Sequence, residues 1–340
     1  MFTKLKKSII TKAIAKRNKN NSFDYIKAEE FSLKGVNDPL INNSYYFSAH
    51  NLEMSIFLRL GERINKDETW FVIFYKGKVY SLIKEEYEAH KGPIKIYKKD
   101  GVYFINFKGL LNEDDEVNFE ATFTNRSEPL NFSSDMPASR MALGMANEKW
   151  KKSFFSSLDK IQGQTHYEQE GTLKGCFTLN KEKVEFSLPC VRDHSFGPRE
   201  WNYMNNHLWL MAINEELQFN YSLVSYPVMG LLEVGNYHLL GDKQQYMLYV
   251  DNDLNVINQG LIPTSLSLYM YLEDKKKIKV DVKVIASISY HFEEGNYILH
   301  ENIAEYNIDG HISRGILEIG FNKDEKRYFN ARKLESYLRK

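Results

Sequence analysis

The chain has 340 residues, and its 45 Lys+Arg against 45 Asp+Glu create no global field of the kind that draws nucleic acid, so no nucleic-acid partner is expected. Its 2 cysteines, Cys176 and Cys190, exclude a disulfide framework and suit free thiols in a reducing compartment, the cytoplasm. No run of about 20 apolar residues exists to span a bilayer, while 22 Tyr and 21 Phe favour strands over helices.

Residues 1–22 form a basic leader. Lys4, Lys6, Lys7, Lys12, Lys16, Arg17 and Lys19 occur there without an acid before residue 20. Phe2, Leu5, Ile9 and Ala13 recur at helical spacing beside Ile10 and Ile14. Such a helix can lie on an anionic membrane as a peripheral contact, serve as a presequence, or lie on the protein's own surface. Residues 23–136 read as a first β-domain. Trp70 to Tyr75 and Val79 to Ile83 flank Lys76-Gly77-Lys78, and a second hairpin turns at Asp100-Gly101. Over 137–160, Met141, Met145, Ala146, Lys149, Trp150 and Phe154 stand at helical spacing, predicting a helical linker. Residues 161–322 return to short strands with regular turns, a second β-domain, and 323–340 read as a charged terminal helix. In Leu266 to Leu272 one face is aliphatic. The other carries Tyr269 and Tyr271, which suit either a cavity lining or a half-exposed surface.

Chemistry concentrates in three places. His166 and Glu168 share one face of a strand, because side chains repeat every second residue. The run Val191 to Trp201 holds Arg192, Asp193, His194, Ser195, Arg199 and Glu200 around Gly197-Pro198, which predicts a turn at a strand exit. In that geometry Arg199 or Arg192 pairs structurally with Asp193, and His194 faces a pocket together with Glu318. Glu318 is a lone carboxylate in the apolar strand Gly315 to Phe321, where desolvation raises its pKa and fits it to donate a proton. The histidine and acid spacing matches no compact zinc signature, and no Gly-x-Ser-x-Gly elbow or glycine-rich phosphate loop is present. No metal or cofactor is expected.

The segments His-Tyr-Glu-Gln-Glu-Gly-Thr-Leu-Lys-Gly (166–175), Arg-Asp-His-Ser-Phe-Gly-Pro-Arg-Glu-Trp (192–201) and Gly-Ile-Leu-Glu-Ile-Gly-Phe (315–321) follow one another in a recognisable order. Together they resemble the carotenoid 1,2-hydratase (hydroxyneurosporene synthase)-like superfamily of tandem lipocalin-like proteins. The nearest likeness is to a branch with Asp-His-Ser-Trp-Gly-x-Arg-x-Trp. Ser195 stands where the hydratases have a second acid, and Phe196 where both branches usually have Trp. The resemblance implies an all-β fold of two lipocalin-like β-barrel or sandwich domains with an apolar ligand pocket. It implies Glu168, Asp193, His194 and Glu318 as catalytic positions. Around them, His166, Trp201, Trp209, Tyr269 and Tyr271 are expected at the ligand, and Arg192 and Arg199 in structural roles. The expected activity is hydration, isomerisation or cyclisation of an apolar isoprenoid or polyketide-like molecule by protonation; the alternative is a non-catalytic lipid or terpenoid carrier.

Overall fold

The computed structural model of the chain describes residues 2–20, 23–152, 154–155, 163–227, 229–252, 262–292 and 295–324. A basic helix α1 (Phe2–Asn20) and one turn of helix α2 (Tyr25–Glu29) precede the first strands. These are β1 (Ile41–His50), β2 (Met54–Glu62), β3 (Lys66–Tyr75), β4 (Lys78–Glu88), β5 (Ile94–Lys99), β6 (Val102–Leu111), β7 (Asp115–Asn125) and the short β8 (Leu130–Asn131). Helix α3 (Ala138–Asn147) follows, then the long β9 (Thr165–Leu179) and β10 (Glu182–Pro198). All ten strands form one antiparallel sheet in the order β4-β3-β2-β1-β10-β9-β7-β6-β5, with β8 paired to β9. Beyond a 3-10 turn at Trp201–Tyr203, eight further strands close into a barrel. They are β11 (Asn206–Ile213), β12 (Leu217–Tyr226), β13 (Met229–Leu239), β14 (Gln245–Asn252), β15 (Ser265–Leu272), β16 (Lys277–Phe292), β17 (Tyr297–Ile308) and β18 (His311–Asn322).

The expected fold class holds: the protein is all-β, with two lipocalin-like units. The expected boundaries do not. β9 and β10, assigned to the second domain by a boundary at residue 161, complete the first sheet, because β10 pairs along β1 from Ile41↔Pro198 to Ala49↔Cys190. The segment 137–160 therefore lies between two strands of one sheet. The helical connection between the units is the 3-10 turn. Most of the expected helix at 323–340 falls outside the described residues. The turn expected at Asp193-His194 is also absent, since β10 runs extended through Pro198. Gly197 absorbs a φ of +116° there, and a side chain in its place would meet the Gly163 carbonyl.

Strand alternation builds three cores. Phe47, Ile56, Leu58, Phe71, Phe107 and Phe119 fill the first unit, and Leu210, Phe219, Met270, Val280 and Leu317 fill the barrel. The opposite faces meet each other through Tyr46, Phe57, Trp70, Trp201, Trp209, Tyr290, Phe292 and Tyr297. Burying each such ring is worth about 1.5–3 kcal/mol, so the units are joined by a third core rather than tethered. A fourth cluster, Ile14, Met136, Met141, Ala142 and Val234, holds α1 and α3 over one end of the seam.

Candidate active site

Two rows of cross-strand partners face each other where the units meet. In the first sheet Trp70, Arg59, Tyr46, Asp193 and Glu168 are successive register partners across β3, β2, β1, β10 and β9. In the barrel Ser222, Trp209, Glu318 and Glu301 are successive partners across β12, β11, β18 and β17. Residues directly opposite on neighbouring strands project to the same side, so each row presents its side chains together. Hydrogen bonds join the units here: Tyr46 Oη donates to Glu301 Oε1 at 2.6 Å, linking the rows, and Asn220 Nδ2, on β12 beside the barrel row, donates to Glu168 Oε2. Trp209 Nε1 in turn donates to Asn220 Oδ1 at 3.1 Å.

Above the rows lies a cavity of about 790 Å³. Its floor carries Arg59, Tyr46, His166, Glu168, Asp193, Arg199, His207 and Glu318, with the rings of Trp70, Trp201 and Trp209. Its roof is apolar, from Ile9, Ile10, Ala13 and Ile14 of α1 and from Met141, Met145 and Phe154. An apolar chamber with polar groups gathered at one end is the usual form of a small-molecule site.

Glu318 is the centre of the floor. His207 Nε2 lies 2.5 Å from Glu318 Oε1, and His207 Nδ1 lies 2.6 Å from Tyr297 Oη. Glu301, fully buried on β17, stands beside Glu318, and its Oε2 has no hydrogen-bond partner among the described residues. Burial raises both carboxyls above their ordinary range, and the repulsion between them pushes Glu301 well above it. Glu301 is raised further than Glu318, so a proton held by the pair resides on Glu301, facing the Glu318 carboxylate. Burial lowers His207 to about 4, so its imidazole stays neutral. Across the cavity His166 bridges two acids, Nε2 to Glu168 Oε1 and Nδ1 to Asp193 Oδ1, both at 3.3 Å. Burial opposes its positive charge, but Asp193 and Glu168 outweigh that and raise its pKa. Arg59 is held by Glu68 at 2.8 Å and lies 4.6 Å above the Trp70 ring.

Of the residues singled out in the sequence, Glu168, His166, Asp193, Arg199, Trp201, Trp209 and Glu318 line the cavity. Asp193 does not pair with Arg199. It meets His166, and Arg199 donates to Ser195 Oγ at 3.1 Å and faces the chamber. His194 is on the wrong face for a pocket residue: alternation along β10 turns it into the first unit, stacked on Tyr45 at 4.4 Å. There its Nδ1 lies 2.6 Å from Tyr167 Oη and its Nε2 2.8 Å from Asn43 Oδ1. Arg192 shares that face and pairs with Glu29 of α2 at 2.7 Å. Tyr269 and Tyr271 also leave the expected site. Leu268, Met270 and Leu272 take the barrel interior, so the tyrosines lie outside, with Lys277 Nζ 3.7 Å from the Tyr269 ring and Tyr271 stacked on Tyr249. Tyr46, Arg59, His207, Asn220 and Glu301 also belong to the site. Glu301 had a signal in the sequence, a carboxylate in phase with Tyr297, Leu299 and Ile303 on the buried face of its strand.

The cavity thus lies at the seam between a closed eight-stranded barrel and a second antiparallel sheet, an all-β architecture with a lipocalin-like fold. The chain belongs to the family described as domain of unknown function (DUF7064), whose model matches residues 33–323. Among solved structures it is similar to an AttH-type protein of Nitrosomonas europaea, with 9% identity, 82% of this chain and 91% of that one covered, and a TM-score of 0.56. It is also similar to kievitone hydratase from Nectria haematococca, with 10% identity, coverages of 84% and 89%, and a TM-score of 0.52. No curated protein matches the chain by sequence.

Proposed function

We propose that the protein is an enzyme that takes an apolar small molecule with few polar groups into the seam cavity and protonates one of its double bonds, water addition being the foremost outcome. The observation that carries this is Glu318, a carboxyl with a raised pKa that opens on the cavity and is backed by the buried Glu301. In the proposed step the proton held on Glu301 moves to Glu318 and from Glu318 to an sp² carbon, whose π pair forms the new C–H bond. The neighbouring carbon becomes electron-poor beside the faces of Trp70, Trp201 and Trp209. A water then adds its oxygen there and gives a proton to Asp193 or Glu168, which His166 holds in place. One proton is given and one is taken, so the net change is one water. Loss of a neighbouring C–H proton instead gives an isomer, and attack by a second double bond closes a ring. Arg199 offers a donor to an oxygen on the substrate. The name of one protein sharing this fold, kievitone hydratase, supports placing hydration first.

The test is to incubate the protein in D2O with an apolar extract of cells that express it and to compare products by mass spectrometry. A product heavier by one D2O, absent with Glu318→Gln, supports the proposal. A compound that is retained but returned unchanged by the parent protein would make this a carrier.

A further inference from the structure

We propose that α1 seats the protein on an anionic lipid bilayer with the mouth of the cavity against the membrane. The helix has two faces with different tasks. Its inner face is committed to the fold: Ile14 is buried, Ile10 is half-buried, Lys6 Nζ donates to the Glu148 carbonyl at 2.6 Å, and Arg17 Nη2 donates to the Ser133 carbonyl at 3.0 Å. Its outer face is not. Phe2, Leu5 and Ile9 are 81%, 59% and 51% exposed, and at spacings of three and four they form one stripe. Lys4, Lys12, Lys16 and Lys19 are exposed on the same helix, which contains no acid. Exposed apolar groups interspersed with lysines give this face both an apolar and an electrostatic hold on an anionic surface, and each cation near such a surface strengthens attachment about fivefold.

The stripe is also continuous with the cavity. Ile9 belongs to both, and Phe155, 49% exposed, lies on the same rim next to Trp150, whose ring sits under Lys6 Nζ at 4.9 Å. An amphipathic indole at a rim of this kind suits the headgroup layer. A lipid-soluble molecule leaving the bilayer would therefore meet the apolar roof before the acidic floor. That purpose rests on the proposed apolar substrate; the docking does not.

Co-sedimentation of the full chain with vesicles tests it, using phosphatidylcholine alone and phosphatidylcholine mixed with phosphatidylglycerol. Pelleting should require the anionic lipid and fall steeply as salt rises, since screening confines exposed charges to about 10 Å at 0.1 M. Lys12→Glu/Lys16→Glu and Phe2→Ser/Leu5→Ser should each reduce partitioning about tenfold or more, with thermal melts and vesicle-free binding of the neutral probe N-phenylnaphthylamine unchanged. Pelleting without vesicles through self-association, equal pelleting with phosphatidylcholine alone, no pelleting, or folded variants that pellet like the parent would each overturn the proposal. Vesicle binding with no uptake of the probe would leave docking standing and count against the cavity reading instead.

Discussion

Glu301 and Glu318 are direct partners on adjacent strands of the barrel, yet only Glu318 reaches the cavity. Burial raises both pKa values, so the native state holds a proton that the unfolded chain releases at ordinary carboxylate pH. That contribution is complete below about 4.5 and disappears as pH rises through the native value, with a slope of about 1.4 kcal/mol per pH unit for one proton. Glu301→Gln can still accept from Tyr46 and donate to Glu318. We expect it to fold and to flatten the alkaline fall of the melting temperature. An unchanged alkaline limb would mean that the pair holds no such proton.

His194 should matter to folding and not to ligand. It is fully buried between Tyr45, Tyr167 and Asn43, and burial lowers its pKa to about 3. Because the folded value is depressed, its share of stability is present above the unfolded value near 6.5 and is lost as pH falls toward 3. His194→Ala should cost about 2–4 kcal/mol from the cavity and the stranded hydroxyl and amide groups. It should also soften the acid limb, while probe binding in the seam stays intact. Urea melts at several pH values beside a binding isotherm decide this.

Glu68 carries two guanidinium groups, Arg59 at 2.8 Å and Arg63 at 3.1 Å, all nearly sealed from solvent. Glu68→Gln strands both charges and should destabilise the protein by about 3–5 kcal/mol. Denaturant titration measures it, and a loss below 1 kcal/mol would show that other groups hold the arginines.

Gly320 is the packing partner of His207. A methyl there would overlap the imidazole ring and stand 2.6 Å from Tyr297 Oη. Gly320→Ala should therefore push His207 away from Glu318 while the barrel still closes. The expected result is a changed chemical shift and pKa for His207 by NMR, with modest loss of stability. An unmoved His207 resonance would contradict the packing.

The division of the chain into strand-rich halves was legible because Asp-Gly and Gly-bearing turns punctuate alternating apolar runs. The domain boundary was not, because the long pairing of β10 with β1 joins residues about 150 positions apart and leaves no local mark. Glu168, His166 and Glu318 stood out as polar groups in apolar strands. Asp193 and His194 are adjacent in sequence, but in an extended strand adjacent residues face opposite sides. The Gly197-Pro198 pair signals a turn locally and so masks that alternation. Tyr46 and Arg59 belong to the site through register, which long-range pairing sets, whereas the phase of Glu301 on its strand could be read locally.

Infrared difference spectroscopy on the ligand-free protein at neutral pH tests the central claim most directly. The account requires a protonated carboxyl on Glu301 that faces Glu318, so the parent should show a protonated C=O stretch that disappears in Glu301→Gln and shifts in frequency in Glu318→Gln. If the parent shows no such band, and Glu301→Gln removes only ionised carboxylate signal, the cavity holds no proton to give and the proposed chemistry is wrong.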